Sequence, residues 1–128
     1  HATTYGGQPL ATAAARAVLA VMEAESVPER ATAAGAELVL RLGALPQVRT
    51  VRGLGLLLAV ELDLDVLGAS AGQVAALLLE RGGVVNAVTP SALRLAPSLL
   101  ISADEIDLAV ESIATALTDT AAATETTP

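Results

Sequence analysis

The stretch Val48–Leu62, VRTVRGLGLLLAVEL, decides the fold, because the spacing of apolar residues changes there from a helical to an extended pattern. Two apolar runs flank Gly53 and Gly55, which predicts two strands joined by a tight turn or bulge where the chain reverses. Two helix patterns precede this stretch, and a helix, two strands and a last helix follow it. This order predicts the α+β class, with a small, mainly antiparallel sheet that has helices on one face.

Proline and a capping pattern mark the two helices at the start of the chain. Pro9 occupies a favoured first-turn position, and apolar residues then recur at helical spacing to about Glu25. Residues 26–29, SVPE, predict a capping box that begins a second helix, which is expected to end near Leu42. Both helices are therefore predicted from the residues at their first turns.

Two further capping boxes predict the later helices. Residues 70–73, SAGQ, and residues 102–105, SADE, each place a serine three positions before a Gln or Glu. A pair of short strands is expected between these two helices. The last helix is expected to end near Leu117, and the Thr/Ala-rich residues 119–128 are expected to be disordered.

Charge and composition exclude several classes of function. The formal net charge of −7 disfavours nucleic acid or an anionic membrane as a partner. The chain has no cysteine, which excludes a disulfide framework, a thiolate metal site and a cysteine nucleophile. Its longest apolar stretch, Leu54–Val60, is too short to span a bilayer, so we expect a soluble, cytoplasmic protein.

No metal site and no targeting signal is predicted. The first residue is His1 rather than Met and no signal-peptide pattern follows it, so we expect a cut or processed end. His1 is the only histidine, and Asp63 and Asp65 are interpreted as turn residues because no ligand loop completes them.

The opening run of residues 1–10, HATTYGGQPL, has the parts of a phosphate-binding loop. Hydroxyls donate hydrogen bonds, glycines let backbone N–H groups approach a ligand, and a helix N-terminus favours negative charge. All seven basic side chains of the chain are arginines, so there is no lysine. A phosphate site without an amine nucleophile predicts one part of a larger reaction centre.

Four segments, in this order and spacing, resemble the C-terminal part of the class III (fold type I) aminotransferases, which use pyridoxal 5′-phosphate. They are residues 1–11 (HATTYGGQPLA), 51–56 (VRGLGL), 85–87 (VNA) and 93–97 (LRLAP), the last followed by SADEI and the final helix. The resemblance covers residues 1 to about 117 and is closest to the acetylornithine and ornithine-type enzymes. Two departures are Ala2 and Gln8, where the family usually has Gly and Asn.

The resemblance implies roles for individual residues. Thr4 matches the threonine that reaches across a dimer to the cofactor phosphate of the neighbouring subunit, with Thr3 beside it. Arg94 matches the arginine that binds the substrate carboxylate, and Asn86 lies in the substrate-side loop. Arg52 is interpreted as architectural, shaping the turn between two strands.

The resemblance also implies an activity and a domain division. The intact parent would be a homodimeric, cytoplasmic enzyme of arginine biosynthesis that transfers an ω-amino group from N-acetylornithine or a similar donor to 2-oxoglutarate. The family's Schiff-base lysine has no counterpart here, so the chain alone is predicted to be inactive. Residues 1–26 would form the cofactor-loop motif and connecting helix, residues 27–118 the small domain, and residues 119–128 a disordered tail. The alternative is a stand-alone small α+β module for regulation or oligomerisation, without catalysis.

Overall fold

The computed structural model describes residues 3–125, without the side chain of Glu125. His1 and Ala2 lie outside the described residues, as does the expected effect of Ala2 on the opening loop. In chain order the elements are α1 (Pro9–Ala24), α2 (Val27–Gly43), β1 (Val48–Leu54), β2 (Leu57–Leu62), α3 (Leu64–Leu67), α4 (Ala71–Glu80), β3 (Asn86–Thr89), β4 (Ala92–Leu95) and α5 (Ala103–Glu125). The predicted α+β class is confirmed, with the single turn α3 added to the expected order.

The four strands form one antiparallel sheet in the order β1-β2-β4-β3. Alternate residues of a strand point to opposite faces, and Leu58, Val60 and Leu62 of β2 are buried on one of them. Leu93 of β4 pairs with Val60 and is also buried. The core on this face is completed by apolar residues of α2, α4 and α5. Helices therefore cover one face, as expected, and Arg94 and Asn86 are exposed on the other, which we call the open face.

Helix α2 packs directly on the turn between β1 and β2 through two glycines. A Cβ atom added at Gly35 would lie 2.1 Å from the carbonyl oxygen of Gly55. Gly55 has φ of 53°, in the left-handed region that favours glycine. Gly53 has φ of 150°, and its added Cβ would lie 2.1 Å from the carbonyl oxygen of Leu57. The glycines of the VRGLGL segment therefore serve a close approach of backbone to backbone.

The capping box predicted at residues 26–29 is wrong. Ser26 has φ of 48° and ψ of 47°, and its side chain makes no capping hydrogen bond. A capping serine needs extended backbone angles to place its hydroxyl over the first turn, whereas Ser26, in the two-residue connection between Ala24 and Val27, has left-handed angles. The box at residues 102–105 does form, since Ser102 N–H donates to the Glu105 carboxylate (2.8 Å) and Glu105 N–H donates to the Ser102 hydroxyl (3.3 Å).

The disorder expected from residue 119 onwards is wrong as far as residue 125, because α5 continues to Glu125. Thr120 is buried and its hydroxyl donates to the carbonyl of Ala116 (2.7 Å). The hydroxyl of Thr124 donates a hydrogen bond to the carbonyl of Leu67 (3.2 Å), which holds the end of α5 against α3. Packing outweighs the weak helix propensity of threonine here. Residues 126–128 lie outside the described part of the chain.

Helix α1 is set apart from the core. None of its 16 residues is buried, and Leu10 is 83% exposed. Its apolar stripe therefore lies at the surface of the described structure. Within residues 3–125, no helix combines the length and the apolar character needed to cross a membrane.

The contact between α2 and the β1–β2 turn predicts that Gly35→Ala lowers the free energy of unfolding by about 1–3 kcal/mol, the usual cost of overpacking. Gly43→Ala is the control, because an added Cβ there meets nothing within 4 Å. We expect the control to change stability by less than about 1 kcal/mol. Urea unfolding of both variants measures the difference, and equal stability of the two would contradict the close approach.

Candidate functional site

Arg94 and Asn86 lie side by side on the open face of the sheet. The strand register pairs Arg52 with Ala59, Ala59 with Arg94, and Arg94 with Asn86. These four residues therefore form one row across all four strands. Asn86 is the first residue of β3 rather than part of a loop, which corrects its expected position. The two predicted substrate-binding residues are thus brought together by the sheet.

Arg94 carries a guanidinium group that the rest of the described chain leaves free. It is exposed, and it makes no hydrogen bond or ion pair with any of residues 3–125. Arg16 on α1 likewise has no ion-pair partner among the described residues. The remaining arginines pair with carboxylates: Arg30 with Glu25, Arg41 with Glu37 and Asp107, Arg49 with Asp63, Arg52 with Glu61, and Arg81 with Asp119. Arg94 therefore keeps its five N–H donors for an external acceptor.

Ala59 is a neighbour of Arg94 that the sequence reasoning missed. It lies between Arg52 and Arg94 in the row, and its side chain is a single methyl group. Arg52 contacts the Glu61 carboxylate at 2.6 Å, so its charge is matched within the chain. The alternation of β2 indicates that Ala59 faces away from the core, but only the strand register shows that it adjoins Arg94.

The residues before α1 form a compact turn. The carbonyl of Thr3 accepts from Gly6 N–H (3.1 Å), and the Thr3 hydroxyl accepts from Tyr5 N–H (3.3 Å). Gly7 has φ of 78°, which lets the chain turn into the helix that begins at Pro9. The hydroxyl of Thr4 has no hydrogen-bond partner within residues 3–125.

This turn fits the phosphate group of a cofactor. The free hydroxyl of Thr4 can donate to a phosphate oxygen, and no side chain caps the N-terminus of α1. Pro9 has no N–H group and Gln8, at the N-cap, makes no capping bond, so within residues 3–125 the first-turn N–H groups that follow Pro9 stay open to an anion. The hydrogen bonds of this turn are all local, and none of the described ones joins it to Arg94 or Asn86. No described hydrogen bond therefore links the two predicted half-sites.

Residues 3–125 contain no group of three or more His, Cys, Asp or Glu side chains placed to hold a metal ion. Asp63, one of the two acidic residues interpreted as a turn residue, instead caps α3 by accepting from the N–H groups of Asp65 and Val66.

Comparisons with known proteins agree on one family. The family model described as Aminotransferase class-III matches residues 1–117. The chain is 41% identical over 122 residues to the ornithine aminotransferase of Bordetella pertussis, which covers 94% of this chain and 29% of that protein. It is 39% identical over 115 residues to the acetylornithine aminotransferase of Gloeobacter violaceus, covering 86% of this chain and 28% of that protein.

The solved structures give the same result for the fold. The omega transaminase of Pseudomonas jessenii in complex with PMP matches with a TM-score of 0.83 at 32% identity, covering 98% of this chain and 30% of that one. The chain thus spans less than a third of the length of the relatives that it matches.

The free guanidinium of Arg94 predicts that Arg94→Ala changes the free energy of unfolding by less than about 0.5 kcal/mol. Its neighbour Leu93, on the core face of the same strand, is the matched control. Leu93→Ala should cost about 2–5 kcal/mol because it leaves a cavity. Urea unfolding compares the two, and a loss in Arg94→Ala as large as that in Leu93→Ala would refute the open-face placement.

Proposed function

The chain belongs to the class III aminotransferase family, and we propose that its residues act within a pyridoxal-phosphate-dependent enzyme that transfers an ω-amino group to 2-oxoglutarate. The observation that carries this proposal is the unpaired guanidinium of Arg94 on the open sheet face. Relatives named ornithine and acetylornithine aminotransferase support an ornithine-type amino donor. We favour the acetylornithine reaction of arginine biosynthesis, in the cytoplasm, because the segment VNA at 85–87 resembles that group.

In this proposal Arg94 binds the carboxylate that the amino donor and the oxoacid have in common. A planar guanidinium can donate two parallel hydrogen bonds to a carboxylate, which sets both its position and its orientation. The sheet holds the backbone of Arg94 between β2 and β3, while Ala59 leaves room for the ligand. Asn86, directly opposite Arg94, offers an amide to the same ligand. One carboxylate-binding site of this kind serves both half-reactions of a transamination.

Thr4, with Thr3 beside it, takes the role of a phosphate anchor. Its unpaired hydroxyl and the open N-terminus of α1 supply neutral donors and a positive helix end to a doubly charged group. When bound, pyridoxal phosphate supplies the carbonyl that carries the amino group from one substrate to the other. We propose that the enzyme is a homodimer in which Thr4 serves the neighbouring subunit; no described hydrogen bond ties the Thr4 turn to Arg94 of its own chain.

The amine that holds the cofactor and moves the substrate proton has to come from other polypeptide, since this chain has no lysine. The chain covers 29% of the length of the Bordetella relative, which leaves ample room for that residue in a longer protein. By itself the chain supplies binding groups and positions substrates.

The role of Arg94 is tested by steady-state kinetics of a full-length protein that contains these residues. Loss of a charge-assisted contact of about 1.5–3 kcal/mol should raise KM for both amino donor and oxoacid by about 10- to 150-fold in Arg94→Ala. Arg94→Lys keeps the charge but not the planar fork, so its KM values should lie in between.

Arg16→Ala is the control for the kinetic experiment, because Arg16 is also an exposed arginine without a partner in residues 3–125. Its KM values should equal those of the wild type. Unchanged KM for both substrates in Arg94→Ala would remove this residue from the site. A naturally occurring form of the chain without any lysine-bearing polypeptide would instead favour the stand-alone module.

A further inference from the structure

A cavity of about 350 Å³ lies on the helix side of the sheet, away from the open face that carries Arg94. It is bordered by the C-terminal end of α4, the segment 82–85, the residues Ala96, Pro97 and Ile101, and the first turns of α5. Leu95 lines it, and this residue points to the opposite face from its neighbour Arg94. The cavity is therefore distinct from the substrate site proposed above.

The lining of this cavity is largely apolar. Leu38, Leu78 and Ile113 form buried parts of its wall. At its rim Val84 is 85% exposed and Leu108 is 64% exposed. Filling such a space with an alkyl group removes apolar surface from water, which is favourable. Its volume is at the small end of the range typical of small-molecule pockets, roughly 300–1,000 Å³.

Two opposite charges also line the cavity, and each keeps free hydrogen-bonding capacity. Arg81 donates one bond to Asp119 (2.7 Å), which leaves other guanidinium N–H groups uncommitted. One oxygen of Glu105 accepts from the N–H and hydroxyl of Ser102, and its second oxygen has no partner within residues 3–125. These bonds from Ser102 lower the pKa of the Glu105 carboxyl, so it is negatively charged at neutral pH.

We propose that this cavity binds a small aliphatic α-amino acid as its zwitterion. The ligand carboxylate would face Arg81, its ammonium group would face Glu105, and its alkyl side chain would pack against Ile113. An aliphatic carboxylic acid would meet the negative charge of Glu105 without compensation, and an aliphatic amine would meet the positive charge of Arg81. Only a ligand with both charges matches both walls. Since Leu95 forms part of the wall, the bound ligand contacts the strand that carries Arg94.

The test uses the full chain labelled with ¹⁵N and titrated with L-leucine in backbone NMR experiments. We expect saturable shifts in residues 82–85 and 105–113, which border the cavity. Isovalerate and isoamylamine, which each lack one of the two charges, should bind about tenfold or more weakly than L-leucine. Glycine, which has both charges but no side chain, should also bind more weakly.

Three variants and one control locate the site. Arg81→Gln and Glu105→Gln should each weaken L-leucine binding by about tenfold or more, and glutamine at position 105 still permits the capping box. Ala109→Leu, which puts bulk into the wall, should abolish binding. Arg30→Gln removes an ion-paired arginine outside the cavity and should bind as the wild type does.

Three results would overturn the proposal. One is the absence of saturable shifts with L-leucine, and another is equal binding of L-leucine and isovalerate, which would leave Glu105 without a role. The third is unchanged binding in Ala109→Leu, which would place the ligand elsewhere. The titration does not depend on transamination, so it can fail or succeed independently of the function proposed for Arg94.

Discussion

The backbone contact between Gly35 and Gly55 is the constraint on which the rest of the structure depends. Because neither residue has a side chain, helix α2 can lie directly on the turn between β1 and β2. This contact fixes which face of β2 turns inward, so that Leu58 and Val60 are buried and Ala59 is left on the open side. Antiparallel pairing then gives β4 and β3 the same alternation of core-facing and open-face residues. The positions of Arg94, Asn86 and Ala59 follow from this division, whereas Thr3 and Thr4 lie in the separate turn before α1.

The two faces of the sheet consequently have different chemistry. The helix face carries the apolar core, and within it the cavity between α4 and α5. The open face carries the row from Arg52 to Asn86, in which Arg52 is matched by Glu61 and Arg94 is not matched. An exposed, unpaired arginine contributes little to the stability of the fold, so its donors remain available to a ligand. The apolar core and the unpaired Arg94 therefore lie on opposite sides of a single layer.

Local signals in the sequence predicted the secondary structure well. The wrong predictions fell where contacts between distant segments determine the structure. Pro9, the glycines of VRGLGL and the Ser102 box are local signals. They predicted the start of α1, the turn between β1 and β2, and the start of α5. The prediction of a capping box at Ser26 was wrong because the backbone of this residue, in a short connection, is left-handed. The prediction of a disordered tail was wrong because Thr120 is buried and Thr124 contacts α3, and composition does not show these contacts. The strand register that brings Ala59 beside Arg94 depends on pairing between distant segments, and a single sequence does not contain it. The division at residues 26 and 118 stays a prediction.

The contact between Arg94 and a substrate carboxylate can be observed directly. The measurement is a crystal structure of a full-length protein that contains these residues, with 2-oxoglutarate bound. If Arg94 is the carboxylate ligand, both oxygens of one carboxylate will lie about 3 Å from its guanidinium nitrogens, above Ala59 and beside Asn86. A substrate whose carboxylates are all bound by other residues, with the Arg94 side chain left in solvent, would contradict it.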